Sequence, residues 1–107
     1  MKELEKKWEK LIDKLEKKFE DEISLKGILY LIGMQELNFG VKKFEREEKI
    51  NVLHVATCKL LSDYGYYTFD GIDEDGWPHY KELKALQNLS AKEQQDLIKE
   101  AIIKYLN

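Results

Sequence analysis

From Ile28 to Met34 the chain carries no charge, although 36% of its 107 residues are charged. Read as helix, those seven residues make almost two turns with apolar groups on every side. A segment of that kind is buried all round rather than on one face. It is therefore expected to be the central helix of a small α-rich domain, running over about 25–38. Ser24 is placed to cap its first turn, because a hydroxyl there accepts a free amide. Gly40 suits a left-handed position beyond its end. Gly33 inside the helix costs about 1 kcal/mol relative to Ala, and the expectation is that it lets another backbone come close. Phe39, Val41 and Phe44 are expected to anchor the connection that follows.

The third helix is expected over about 45–62. It opens on Glu45, Glu47 and Glu48, which are favourable against the positive end of the helix dipole. Ile50, Val52, Leu53, Val55, Ala56, Leu60 and Leu61 again surround most of the cylinder. A short loop between the second and third helices makes them an antiparallel pair, and together they are expected to form the core. Residues 2–22 read as an amphipathic helix: Leu4, Trp8, Leu11, Ile12, Leu15 and Phe19 recur at three- and four-residue steps, with charge elsewhere. Its stripe can cover this core or meet the same helix of a second chain. The heptad register is too short for a coiled coil. The last helix, over about 91–106, opens on Ser90-Ala-Lys-Glu93, the pattern of a reciprocal capping box.

Between the third and last helices the character changes. After Gly65, which is expected to end the helix, Tyr66-Tyr-Thr-Phe-Asp-Gly-Ile72 is rich in strand formers, and Trp77-Pro-His-Tyr-Lys81 follows Asp73-Glu-Asp-Gly76. This predicts a β-hairpin over about 66–81, with Gly76 left-handed and the Asp73 carboxylate capping the turn. In the simplest register Phe69, Gly71, Trp77 and His79 share one face, and Asp70 and Tyr80 share the other. A slip of one residue on one strand changes all of those neighbours. Pro78 cannot donate to a ladder, so its strand is an edge there. An isolated hairpin is marginal in water and has to lie against the helices. The expected fold is α+β, mostly α: one domain over residues 1–107, four helices with one β-hairpin inserted before the last.

Net charge is −3, which argues against nucleic acid or an anionic membrane surface as partner. Cys58 is the one cysteine, so no internal disulfide forms. The uncharged run is far shorter than the ~20 residues that span a bilayer, and Met1-Lys-Glu-Leu-Glu-Lys-Lys7 lacks the apolar core of a secretory signal. A cytoplasmic protein is the expectation. The acidity is local. Over 63–82 Lys81 stands alone against Asp63, Asp70, Asp73, Glu74, Asp75 and Glu82, whereas 23–62 has an excess of two positive charges.

Tyr64-Gly-Tyr-Tyr67 and Asp73-Glu-Asp-Gly-Trp-Pro-His79, after the Gly33-Met-Gln-Glu-Leu37 helix end, resemble a family of small bacterial proteins with no established activity. The likeness covers roughly residues 27–105. It implies a compact intracellular domain and carries no catalytic residue across.

Chemistry has few footholds. His54 and Cys58 stand at i,i+4, a spacing that can put two ligands on one metal. Glu36 and Glu47 could complete a carboxylate–histidine site with His54 between the second and third helices, but a lone His among apolar neighbours is more commonly a hydrogen-bonded core residue, and Cys58 reads as a packed thiol. Asp73, Asp75, Gly76 and Glu82 fall at positions 3, 5, 6 and 12 of a calcium loop. Gly71 at position 1 brings no carboxylate and the flanks read as strands, so that reading fails. His79 with Asp70 or Asp73 could be an acid–base pair or simply a turn staple.

Six of the twelve aromatic residues lie in 64–80. Aromatic bodies beside carboxylates suit a basic or cationic partner. Most of these rings are expected to staple the hairpin onto the helices, leaving an exposed remainder around Trp77 and His79. The chain is thus read as a non-catalytic interaction or regulatory module with no cofactor. Its contact residues would be Tyr66, Tyr67, Phe69, Asp73, Trp77, His79 and Tyr80, and its partner a protein, a second copy of the chain included. The alternative is a small-molecule or metal-binding protein at Glu36, Glu47 and His54.

Overall fold

The computed structural model describes residues 2–20, 22–37 and 43–106. Helix α1 spans Lys2–Phe19, α2 Leu25–Leu37 and α3 Arg46–Ser62. Strands β1 (Tyr67–Ile72) and β2 (Pro78–Glu82) form a two-stranded antiparallel hairpin. A 3-10 turn at Leu86–Asn88 then leads to α4 (Ala91–Leu106). The fold is α+β, mostly α, with the hairpin before the last helix.

Local chemistry sets the boundaries. The Gly27 amide donates to Ser24 Oγ at 3.0 Å and the Ile28 amide to the Ser24 carbonyl at 3.0 Å, so Ser24 caps α2. At α4 the Ser90 amide donates to Glu93 Oε1 (2.9 Å) and the Glu93 amide to Ser90 Oγ (3.1 Å), the two halves of a capping box. Gly65, at φ +81°, turns the chain out of α3. The first helix spans its whole stripe but stops short of the expected residue 22. Glu20 takes φ +56°, a left-handed conformation that ends α1 at Phe19, and the Ile23 amide is held by Glu16 Oε2 at 3.1 Å. The expected left-handed Gly40, and the anchors Phe39 and Val41, lie outside the described residues.

Helices α2 and α3 form the core as expected. Ile28 and Ile32 cluster with Ala56, Leu60 and Leu61, and Leu37 clusters with Phe44, Val52 and Val55. Early α2 thus meets late α3 and late α2 meets early α3, the pattern of an antiparallel hairpin. Gly33 sits at their closest approach: a Cβ there would overlap the Val52 carbonyl oxygen and lie 2.7 Å from Val52 Cγ1. Trp8, Leu11, Ile12 and Leu15 of α1 pack on the first cluster, as do Ala101 and Ile102 of α4. From Trp8 to Leu15 the α1 stripe is therefore spent within the chain, whereas Phe19 is exposed.

The all-round burial expected of Ile28–Met34 is not reached. Ile28, Ile32 and Gly33 are buried, but Leu31 is 43% exposed, and Ile50 on α3 is 61% exposed. Two residues turn a helix by about 200°. Leu31 and Ile50 each stand two positions before the contact pair Gly33 and Val52, so both are carried to the far side. Two packed helices bury the faces they share, and the outer side of each needs a further cover.

Candidate functional site

The hairpin turn is built by one carboxylate. Asp73 Oδ1 accepts the Asp75 and Trp77 amides, both at 2.9 Å, and Asp73 Oδ2 lies 2.8 Å from His79 Nε2. The Asp73 amide donates to the Trp77 carbonyl at 2.9 Å, and Gly76, at φ +89°, donates to the Asp73 carbonyl at 3.0 Å. The His79 hydrogen bond, with help from the amides, holds the Asp73 carboxyl below its ordinary range. Of the two carboxylates that the sequence offered to His79, Asp70 and Asp73, the structure pairs it with Asp73. Every acceptor direction used here serves the turn, so its immediate role is to make the turn rigid.

Beyond the turn the register departs from the simplest one. Ile72 pairs with Pro78 as that register requires, but a bulge follows, and Phe69 then pairs with Tyr80, Thr68 with Lys81 and Tyr67 with Glu82. Gly71, at φ +104°, supplies the backbone conformation that an L side chain rarely adopts. The consequence is a change of neighbours. Phe69 leaves the His79 face and stacks edge-on against Tyr80, ring centroids 5.7 Å apart.

The rings divide into anchors and an exposed remainder, but not where the sequence put the division. Trp77 is half-buried and packs on Phe44 in the second core cluster, centroids 6.0 Å apart. Tyr66 and Tyr67 pack on the first cluster, Lys84 Nζ sits 5.4 Å from the Tyr66 ring centre, and Tyr67 meets His54 edge-on at 6.3 Å. Burial pushes the Tyr67 and Tyr80 hydroxyls up, with nearby Cys58, and Glu82 or Glu36, adding to it. Of the residues around the turn, His79 is exposed as expected. The exposed apolar groups are Phe69 at 55% and Ile72 at 66%. With Pro78 and Tyr80 they line one side of a groove of about 370 Å³ whose other side is Leu37, Lys59 and Ser62.

Sequence reasoning missed Ile72. Its signal was present: a branched apolar residue directly before an acidic turn.

The residues of the alternative site are not assembled. Among the described residues no three His, Cys, Asp or Glu side chains are grouped as a metal would require. Glu36 accepts the Tyr105 hydroxyl at 2.5 Å, tying α2 to α4, and Glu47 is exposed on α3. His54 is not a core residue but lies at the surface, its Nε2 3.4 Å from Cys58 Sγ. Cys58 is fully buried, and burial, then the Glu82 charge, pushes its thiol up to about 11. A thiol so placed is protonated and packed rather than nucleophilic.

None of the helices is long and apolar enough to cross a membrane, among the described residues. No protein-family model, curated protein or solved structure matches the chain.

Proposed function

We propose that this chain is a protein-interaction module whose contact surface is the Phe69–Ile72 side of the hairpin where it lines the groove beside α2 and α3, and that its partner presents a basic segment with apolar side chains. The observation that carries this reading is the pair Phe69 and Ile72, both more than half exposed and both on one wall of a single groove. Their own strand partners and the Asp73-centred turn hold them rigidly, so little conformational entropy is lost when a partner covers them. Asp70, Asp73, Glu74 and Asp75, all exposed, surround them with negative charge. Charge of one sign around an apolar centre steers a partner of opposite sign and excludes its like.

The test is site-specific photocrosslinking in extract of the native host, with a benzophenone side chain at position 69 and, as control, at exposed Glu9 on α1. A discrete adduct at 69 that weakens with added salt and is missing at position 9 is the expected result. Equal labelling at both positions would remove the hairpin from the interaction.

A further inference from the structure

A second surface lies beside the hairpin and has the opposite charge. Lys26 at the start of α2, with Arg46 and Lys49 on the first turns of α3, lines a groove of about 620 Å³ whose apolar wall includes Tyr30, Ile50 and Leu53. No carboxylate lines it among the described residues. Among the described residues none of the three cations forms an ion pair there either. Ile50, at 61% exposed, is the most open large apolar side chain on the helices among the described residues. Uncovered cations around an open isoleucine form a receptor for an anionic group that carries apolar side chains with it.

The same molecule presents such a group. The turn carries Asp73, Glu74 and Asp75 in series, with Ile72 at its foot. It stands next to the groove. Tyr30 in the groove wall meets Phe44 at 6.4 Å, and Phe44 meets Trp77 at the base of the turn at 6.0 Å. Trp77, set into the second core cluster, holds the turn where it is, and no hairpin residue lines the groove. The hairpin therefore does not fill the groove of its own chain.

A face that bears a positive hollow and a negative projection side by side is complementary to itself. Under a two-fold axis the projection of each copy meets the hollow of the other, and both contacts form at once. We propose that the occupant of the α2–α3 groove is the Asp73–Asp75 turn of a second copy of this chain, exchanged reciprocally in a closed two-fold dimer. This rests on the hairpin being a contact surface and names the partner of its acidic end. An interface of ordinary size takes ~800 Å² from each partner, a small share of the 7708 Å² that this chain exposes.

Charge exchange between two variants tests it. Lys26→Glu with Lys49→Glu makes the groove acidic; Glu74→Lys with Asp75→Lys makes the turn basic. All four positions are exposed, and far-UV circular dichroism checks that each variant is folded. By sedimentation equilibrium in low salt, the wild type is expected near twice its 12.7 kDa mass, returning toward the monomer as salt screens the contacts. Each variant alone is expected to be monomeric, and an equimolar mixture to give a 1:1 heterodimer, because both turn–groove pairs are then again of opposite sign. A wild type that stays monomeric at high concentration in low salt overturns the proposal. So does a variant that dimerises alone as the wild type does, or a mixture of folded variants that stays monomeric. If the wild type is monomeric while position 69 still captures another protein, the self-contact is lost and the hairpin reading stands. A dimer that obeys the charge exchange without any adduct at position 69 separates the two the other way.

Discussion

Asp73 and His79 sit across the hairpin turn with Nε2 and Oδ2 2.8 Å apart, while the other carboxylate oxygen of Asp73 holds two backbone amides. A single side chain thereby fixes both the conformation of the turn and the start of β2.

That arrangement has a definite pH dependence. The native Asp73 carboxyl titrates below its ordinary value of 3.8, so the unfolded chain binds the proton first as pH falls. Its stabilisation is present in full above 3.8 and is lost as pH drops through the native value. Asp73→Asn is expected to melt below the wild type near neutrality, and the gap in Tm should close in acid. A gap of constant size from neutral pH to below 3.8 would show that the charge of Asp73 does not act through the turn.

Gly33 is the second point of leverage. On helix propensity alone Gly33→Ala gains about 1 kcal/mol, but the new methyl group meets the backbone carbonyl of Val52, which is not the end of a flexible side chain. Overpacking of this kind costs about 1–3 kcal/mol or more, so the variant is expected to be less stable. Urea unfolding reads the sign directly, and a more stable Gly33→Ala would mean that α2 and α3 can separate at little cost.

Cys58 supplies a test at the alkaline end. With the native thiol at about 11 against an ordinary 9.0, the native state keeps a proton that the unfolded chain releases across this window. Stability is unaffected below 9 and falls as pH climbs toward 11, by roughly 2–3 kcal/mol at full ionisation. Cys58→Ala lacks this contribution. Comparing the two proteins in urea across that window should show the wild type declining more steeply, and parallel declines would mean that the thiol is not desolvated.

The hairpin rings separate stability from binding. Trp77 belongs to the second core cluster beside Phe44, and truncating a ring of that kind costs up to about 3 kcal/mol. Phe69 and Ile72 are each more than half exposed, so the double change Phe69→Ala, Ile72→Ala is expected to stay within about 1 kcal/mol of the wild type, two surface changes of about 0.5 each. Thermal melts of the two variants give the comparison. A double variant as unstable as Trp77→Ala would place those residues in the core and not at a contact surface.

The elements themselves were legible in the sequence because their signals are local. Three- and four-residue spacing outlines the helices, Ser24 and the Ser90–Glu93 pair mark two helix starts, and Asp73 with Gly76 writes the turn into four consecutive residues. The contact that gives Gly33 its purpose also follows from sequence logic, because an interior helical glycine needs a neighbour at close range to justify it.

Which apolar residues remain outside was decided only in three dimensions. Leu31 and Ile50 look as apolar as Ile32 and Val52, but they lie about 200° around their helices from the Gly33–Val52 contact, and none of the described elements covers them. The bulge at Gly71 moved Phe69 across the ribbon to Tyr80, a shift of one residue that alternation along the chain cannot reveal. That the basic groove and the acidic turn lie near each other depends on Tyr30, Phe44 and Trp77 meeting in sequence, and these come from three separate segments of the chain. Composition and spacing determine what each segment becomes. Only packing determines which faces it leaves exposed, because burial is a property of neighbours and not of the residue buried.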